Sequence, residues 1–176
     1  MHMPSLTWIL LLLSLLADSK VSQPLSVCDV LKALPKHRNQ MVTIRGEVLK
    51  TEEGTYLRAV DCQKPLLVSG LTWEPAYAIH LTPPDSPLVE SPELPIPTVT
   101  VDPASSRLMS QCAADAKTRI WLTVRGRLET RISFELVKWG DGKLRPYGYG
   151  HLNLSPAQLV YQEMKDAVVQ STALKK

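Results

Sequence analysis

Several signatures of catalysis and metal binding are missing from this sequence. Cysteine occurs three times, at Cys28, Cys62 and Cys112, with no Cys-x-x-Cys pair and no His/Cys cluster, which argues against a structural zinc site. The histidines (His37, His80 and His151 beyond the N-terminal His2) are far apart and in no ligand spacing. Each is expected at a turn or on a strand surface. No nucleophile elbow, phosphate loop or glycine-rich dinucleotide turn occurs, and the one acidic pair, Glu52-Glu53, falls where a solvated turn is expected. The chain therefore offers no catalytic residue, no cofactor site and no metal site, and it is not read as an enzyme. Aromatics are scarce, with a single phenylalanine, Phe134, so few rings are available for stacking. Only one long apolar run exists, Trp8 to Ala17, which excludes a protein with several membrane-spanning helices. A net charge of +3 is too small to mark a nucleic-acid binder in itself.

What is present suits one globular domain: 176 residues, of which 44% are hydrophobic, enough for a packed core rather than a disordered chain. The Trp8–Ala17 run is shorter than the roughly 20 residues a membrane helix needs and is followed by Ala17-Asp18-Ser19, with small residues where a signal peptidase reads. Residues 1–19 are thus expected to be a secretory signal peptide, although the first seven residues carry no Lys or Arg. A buried N-terminal helix is the competing reading. A lipid anchor at Cys28 is disfavoured, because Cys28 is eleven residues past the run and follows Val27. The expected location is periplasmic or secreted, with no membrane span after cleavage.

An oxidising compartment favours one disulfide and one residual cysteine. Cys28–Cys62 would clip an N-terminal helix onto the end of a strand, and closing a loop of about 35 residues could stabilise by ~3–4 kcal/mol. Cys62–Cys112 and Cys28–Cys112 remain the alternatives.

After the signal, residues 20–40 read as a tether and a short helix. Ser26 is its cap, Val27, Val30, Leu31 and Leu34 lie at helical spacing, and a polar turn over 35–40 follows. Met41 to Leu49 alternates as a strand, with Gly46 on the inward register, where a missing side chain permits a bend or bulge. Residues 55–62 return as a second strand, and a third is clearest over 76–81. Residues 83–103 hold seven of the fourteen prolines and are expected to form an extended surface loop. Ser105 to Lys117 reads as a helix. Ile120 to Leu128 is a strand that echoes the first, since Val42-Thr-Ile-Arg-Gly-Glu-Val48 matches Leu122-Thr-Val-Arg-Gly-Arg-Leu128 in pattern. A coil at glycine in both lets a small sheet curl. Residues 132–139 extend or hairpin off this strand. Ser155-Pro156-Ala157-Gln158 has the form of a helix start, but a barrel needs a closing strand, so 157–164 is taken as strand. The barrel is assigned residues 41–165 and a polar tail 166–176.

This order, mainly β with short helices, is that of a five-stranded OB-like barrel preceded by an extra N-terminal helix. The chain resembles a group of uncharacterised exported bacterial OB-fold-like proteins through Val27-Cys-Asp-Val-Leu31 before Val42–Val48, through Asp61-Cys62, and through Gly148-Tyr-Gly-His-Leu152 with Pro156-Ala-Gln-Leu159. That resemblance implies a secreted module and transfers no functional residue.

OB barrels bind extended polymers on the outer face of the second and third strands. Tyr56 and Arg58 share one face of the second strand, while Trp121, Arg125 and Arg127 share the expected outer face of the fourth, beside Arg45 on the first. These six are the candidate ligand-binding residues, rings for stacking and guanidiniums for charge and planar hydrogen bonding. Trp121 packed under the extra helix, with solvated arginines, is the bland alternative. The expected function is a non-catalytic binding module for an envelope protein or polymer. A single-stranded nucleic-acid or oligosaccharide binder is the first alternative, with export arguing against nucleic acid, and an enzyme of unrecognised mechanism is the second.

Overall fold

The computed structural model describes residues 23–90, 98–114, 118–150 and 152–170, without the side chains of 112–114. The expected signal peptide, His151, the Cys112 side chain, the middle of the proline-rich segment (91–97) and the end of the tail lie outside the described residues.

The protein is mainly β with a few short helices. Leu25–Ser26 (β1) lies parallel to the first long strand. Helix α1, Val27–Lys32, starts at Ser26, whose Oγ accepts the Asp29 N–H at 3.1 Å. It buries Val27, Val30 and Leu31. The start of the expected polar turn over 35–40 belongs to a further helical turn, α2, over 34–37, before the turn at 38–39, because Pro35 stands at its start, where a missing N–H leaves no bond unmade. A Cys28–Cys62 disulfide joins α1 to the chain beyond the second ring strand, with Cα atoms 5.3 Å apart.

The main sheet has seven strands, and the pairings of five of them close on themselves. Met41–Thr51 (β2) pairs antiparallel with Gly54–Arg58 (β3), and β3 pairs antiparallel with Ile79–Thr82 (β6). Strand β6 runs parallel to Ala157–Gln170 (β11), which pairs antiparallel with Arg119–Thr130 (β8), and β8 returns antiparallel to β2. Alternation turns Ile44, Val48, Ile120, Leu122, Val124 and Leu128 inward, where they are buried with Leu57, Ile79 and Leu159. The two echoing motifs face each other: Gly46 is opposite Leu122 and Gly126 is opposite Val42. Each glycine therefore sits beside the first apolar residue of the other motif.

Four expectations need adjusting. The second strand ends at Arg58, not Cys62, because the Ala59 N–H bonds the Pro75 carbonyl at 2.8 Å and leaves the ladder. The third strand begins only at Ile79. The residues before it form a small hairpin, Leu66–Val68 (β4) with Leu71–Trp73 (β5), and a 3₁₀ turn over Pro75–Tyr77. Helix α3, described over Pro103–Ala114, begins at Pro103 rather than Ser105, because Asp102 is the residue that receives the first turn: its carboxylate accepts the Ser105 N–H at 2.8 Å and the Ser105 hydroxyl at 2.5 Å. Residues 115–117 of the expected helix lie outside the described residues. The two Ser105 bonds hold the Asp102 carboxyl below its ordinary pKa. Strand β11 continues to Gln170, past residue 166, carried by its long pairing with β8 across two register shifts. A second hairpin, Leu136–Lys138 (β9) with Leu144–Pro146 (β10), stands between β8 and β11, and Thr100–Val101 (β7) adds a short parallel pairing to β11.

Candidate functional site

The two halves of the outer surface of this sheet differ. On one half, side chains from neighbouring strands line up in register: Tyr56 (β3) opposite His80 (β6), His80 opposite Gln158 (β11), and Gln158 opposite Glu129 (β8). All four are buried, with Thr82. They are buried because the protein's own chain lies over them. The Gln158 amide donates to the Leu88 carbonyl at 2.7 Å and to Glu129 Oε2 at 2.6 Å. The Glu90 N–H donates to the same Glu129 oxygen at 3.0 Å. Thus the first part of the proline-rich segment is a strap tied to the sheet, not a free surface loop.

From the other side, Tyr149 Oη donates to Glu90 Oε2 at 2.8 Å, and Arg131 donates to Glu90 Oε1 at 3.1 Å. The Arg131 guanidinium also lies 4.8 Å from the Tyr149 ring centroid. Gly150, at φ 81°, passes so close that a Cβ there would sit 3.2 Å from both Tyr56 Oη and the His80 ring, so glycine is what allows this segment down onto the strand.

The polar atoms beneath are satisfied in a chain. The Thr82 hydroxyl donates to Gln158 Oε1 at 3.0 Å, so its contact with His80 Nδ1 at 2.8 Å is one in which the imidazole N–H donates. Burial lowers His80 to about 4, which keeps it neutral. Burial, aided by Tyr77 and Glu53, pushes Tyr56 up to about 12; burial and the Glu90 bond also raise Tyr149. His80 is in a strand, as expected, but inside the protein rather than on its surface. Tyr56 does share a face with Arg58, but it is closed in by Tyr77, 5.0 Å away edge-on, and by His80, so it presents no ring to a ligand.

The other half of the outer surface, formed by β2 and β8 with the end of β3, is open. Here the structure brings Arg45, Arg58, Trp121 and Arg125 together. A row across three strands runs Arg58, Glu47, Trp121. Arg45 is two residues before Glu47, opposite Thr123, and donates to its hydroxyl at 2.9 Å. Arg125 is exposed, opposite Thr43. Trp121 is half-buried and its indole N–H donates to Gln170 Oε1 at 2.6 Å, on β11 rather than under a helix. Arg127 is drawn away from this group, paired with Glu129 at 2.8 Å at the margin of the covered half.

Glu47 organises the open half. Its carboxylate is only 2% exposed and binds Arg58, with Arg119 3.8 Å from its other oxygen. A carboxylate so placed persists only with such partners. Two guanidiniums, on Arg58 and Arg119, thus flank one carboxylate, with Arg45 and Arg125 further along the same face, where Glu163 of the adjacent β11 lies opposite Arg125 and pairs with Lys165.

Sequence reasoning missed Glu47 and Arg119 here, and Gln158 and Glu129 under the strap. The signal for Glu47 was its outward place in the β2 alternation between Arg45 and Leu49; nothing local marks Gln158. A cleft of ≈ 490 Å³ opens beside the strap, bounded by Thr55, His80, Ser86, Met109 and Tyr161. Among the described residues no group of three or more His, Cys, Asp or Glu is placed to hold a metal ion, and no helix is long and apolar enough to cross a membrane. The chain matches no family model, no curated protein and no solved structure, so the chemistry of the site rests on its own residues.

Proposed function

We propose that this protein is a non-catalytic binding module, built on an OB-like barrel and exported to an oxidising compartment, that engages a polymer or partner protein through the open β2–β8 face. The ring order supports the barrel assignment: first strand to second, second to third, third to the parallel fifth, fifth to fourth, and fourth back to first. The Cys28–Cys62 bond is compatible with export. The observation that carries the function is that four guanidiniums and one indole share a face of the ring, on β2, β8 and the end of β3, that the strap does not cover.

In OB barrels the outer face of the second and third strands is the usual docking surface. Here Tyr56 and His80 occupy that place and are buried, so the ligand face is shifted by two strands, onto β2 and β8. The test is retention on immobilised heparin, a general polyanion, as a function of salt. Arg125→Ala and Arg45→Ala should each lower the eluting salt concentration, because each removes a cation from the contact. Arg145→Ala, on the distant β9–β10 hairpin, should not. If the face variants elute with the parent protein, the β2–β8 face is not the binding surface.

A further inference from the structure

We propose that the Arg58–Glu47–Arg119 group with Trp121 is a recognition subsite for the carboxylate-bearing sugar units of an acidic polysaccharide; this rests on the binding-face assignment above and specifies its ligand. The buried Glu47 accepts from Arg58 and lies 3.8 Å from Arg119, fixing two cations side by side on the end of the face. A guanidinium carries five donors in a planar fork. Glu47 has only two oxygens to share between two such forks, so donors remain for an incoming anion. Arg119 is about half exposed and Arg58 about one third, at 49% and 32%, so both remain within reach of solvent. Trp121, opposite Glu47 across β2–β8 and half-buried, places an indole on the same face as the two forks. A charged pyranose offers a complement to both: a flat C–H face for the indole and a planar carboxylate for bidentate arginine.

Two other ligand classes fit the face less well. A peptide strand has no ladder to join, because β2 is already paired with β8 on one side and with β1 and β3 on the other, leaving side chains as the only contacts. Single-stranded nucleic acid is held by several rings stacking successive bases, whereas the face carries one.

The experiment is calorimetric titration of the full folded protein with a galacturonate oligomer, its methyl ester, oligo(dT) and a poly-glutamate peptide, following tryptophan emission in parallel. The galacturonate oligomer should bind and perturb the emission. The neutral ester should bind at least tenfold more weakly. Arg119→Gln, which leaves the Arg58–Glu47 pair in place, should weaken binding about tenfold, as should Trp121→Ala, while Arg119→Lys should recover only part because it keeps the charge and loses the fork. Equal binding of acid and ester, no effect of Arg119→Gln, tighter binding of oligo(dT) or poly-glutamate, or no binding of the galacturonate oligomer would each overturn the subsite. If one of these occurs while heparin retention still falls in Arg125→Ala, the open face stands and only its ligand is wrong. If heparin retention is also indifferent to the face variants, the face assignment fails with it.

Discussion

The two echoing Arg-Gly motifs give the sharpest test of how this ring closes, because the same Gly→Ala change should have different costs at the two sites. A Cβ on Gly126 would drive into the Val160 carbonyl and stand 2.8 Å from Tyr161 Cα. Both are backbone atoms of β11, at the register shift after Tyr161, and they can yield only if the β8–β11 ladder moves. A Cβ on Gly46 would stand 2.7 Å from Val27 Cγ2, the tip of a side chain on α1, with Leu57 Cβ at 3.4 Å. That contact is relieved by a small shift of one valine. Neither glycine has a positive φ, so alanine at either position should gain about 0.4–1 kcal/mol from a less flexible unfolded chain. Overpacking costs about 1–3 kcal/mol, and occasionally more; the low end applies at Gly46 and the high end at Gly126. Gly46→Ala is therefore expected within about 1 kcal/mol of the parent, and Gly126→Ala about 2 kcal/mol or more below Gly46→Ala. For a domain of this size that difference is roughly 4–8 °C in Tm. Urea unfolding followed by circular dichroism, with the disulfide intact, measures it. Equal costs, or a larger cost at Gly46, would refute the idea that β11 presses on β8 at Gly126.

Other consequences follow from the same contacts. Replacing both Cys28 and Cys62 by serine should cost ~3–4 kcal/mol, from the 34-residue separation they close; a loss below about 1 kcal/mol in denaturant titrations would mean the clip does not constrain the unfolded chain. Gln158→Leu removes the partner of Thr82, Glu129 and the Leu88 carbonyl at once and should cost about 2–4 kcal/mol, with a thermal midpoint near that of the parent counting against a tied strap. His80 binds its proton at about 4 in the folded protein against an ordinary 6.5. Between those values the unfolded chain holds a proton that the folded one does not, so stability rises with pH there and is lost on acidification, by roughly 3 kcal/mol in full. In His80→Gln that part of the slope should vanish; an unchanged slope between pH 4 and 6.5 would show that His80 does not carry it. Glu47→Met strips one partner from a buried pair, which usually costs about 3–5 kcal/mol, but because Arg58 and Arg119 are 32% and 49% exposed and can hydrate the loss should stay at about 1–2 kcal/mol. A loss of several kcal/mol on unfolding would make Glu47 a structural anchor.

The parts of the fold that could be read from sequence are those governed by local periodicity. Alternation at Val42, Ile44 and Val48 and again at Leu122, Val124 and Leu128 placed β2 and β8, and both run as strands with those residues inward. The Ser26 cap and the Cys28–Cys62 pairing also appear where expected. Residues 157–164, where helix-start and strand signals competed, are strand, because Thr82 and Leu128 on the flanking strands leave a gap that only a ladder partner can fill. Three-residue strands such as Leu66–Val68 and Leu71–Trp73 are too short to show a period, and the bonds that end the second strand early and start α3 early come from Pro75 and Asp102, outside the periodic runs.

The site was half legible for a related reason. Alternation assigns a residue to a face but does not say whether that face is covered. Tyr56 and Arg58 share a face, yet a strap from residues 83–90 and the Gly148–Gly150 segment bury the first and leave the second part exposed. The cover is made of long-range contacts: Glu90 reaches Glu129, Arg131 and Tyr149 across separations of about forty to sixty residues, and no window of sequence contains both ends. What the strap hides also defines what it leaves. Opening the β3–β6 surface for a ligand would break the bonds that tie Gln158 to the Leu88 carbonyl and Glu129 to the Glu90 N–H, at a cost of about 1–3 kcal/mol for each buried group left unpaired. A ligand meeting the β2–β8 face breaks no bond of this kind, since Arg125 and the outward ends of Arg58 and Arg119 already stand in water. Binding at the open face is the cheaper event, which is why the arginines there, rather than the better-ordered polar residues beneath the strap, are the ones to mutate.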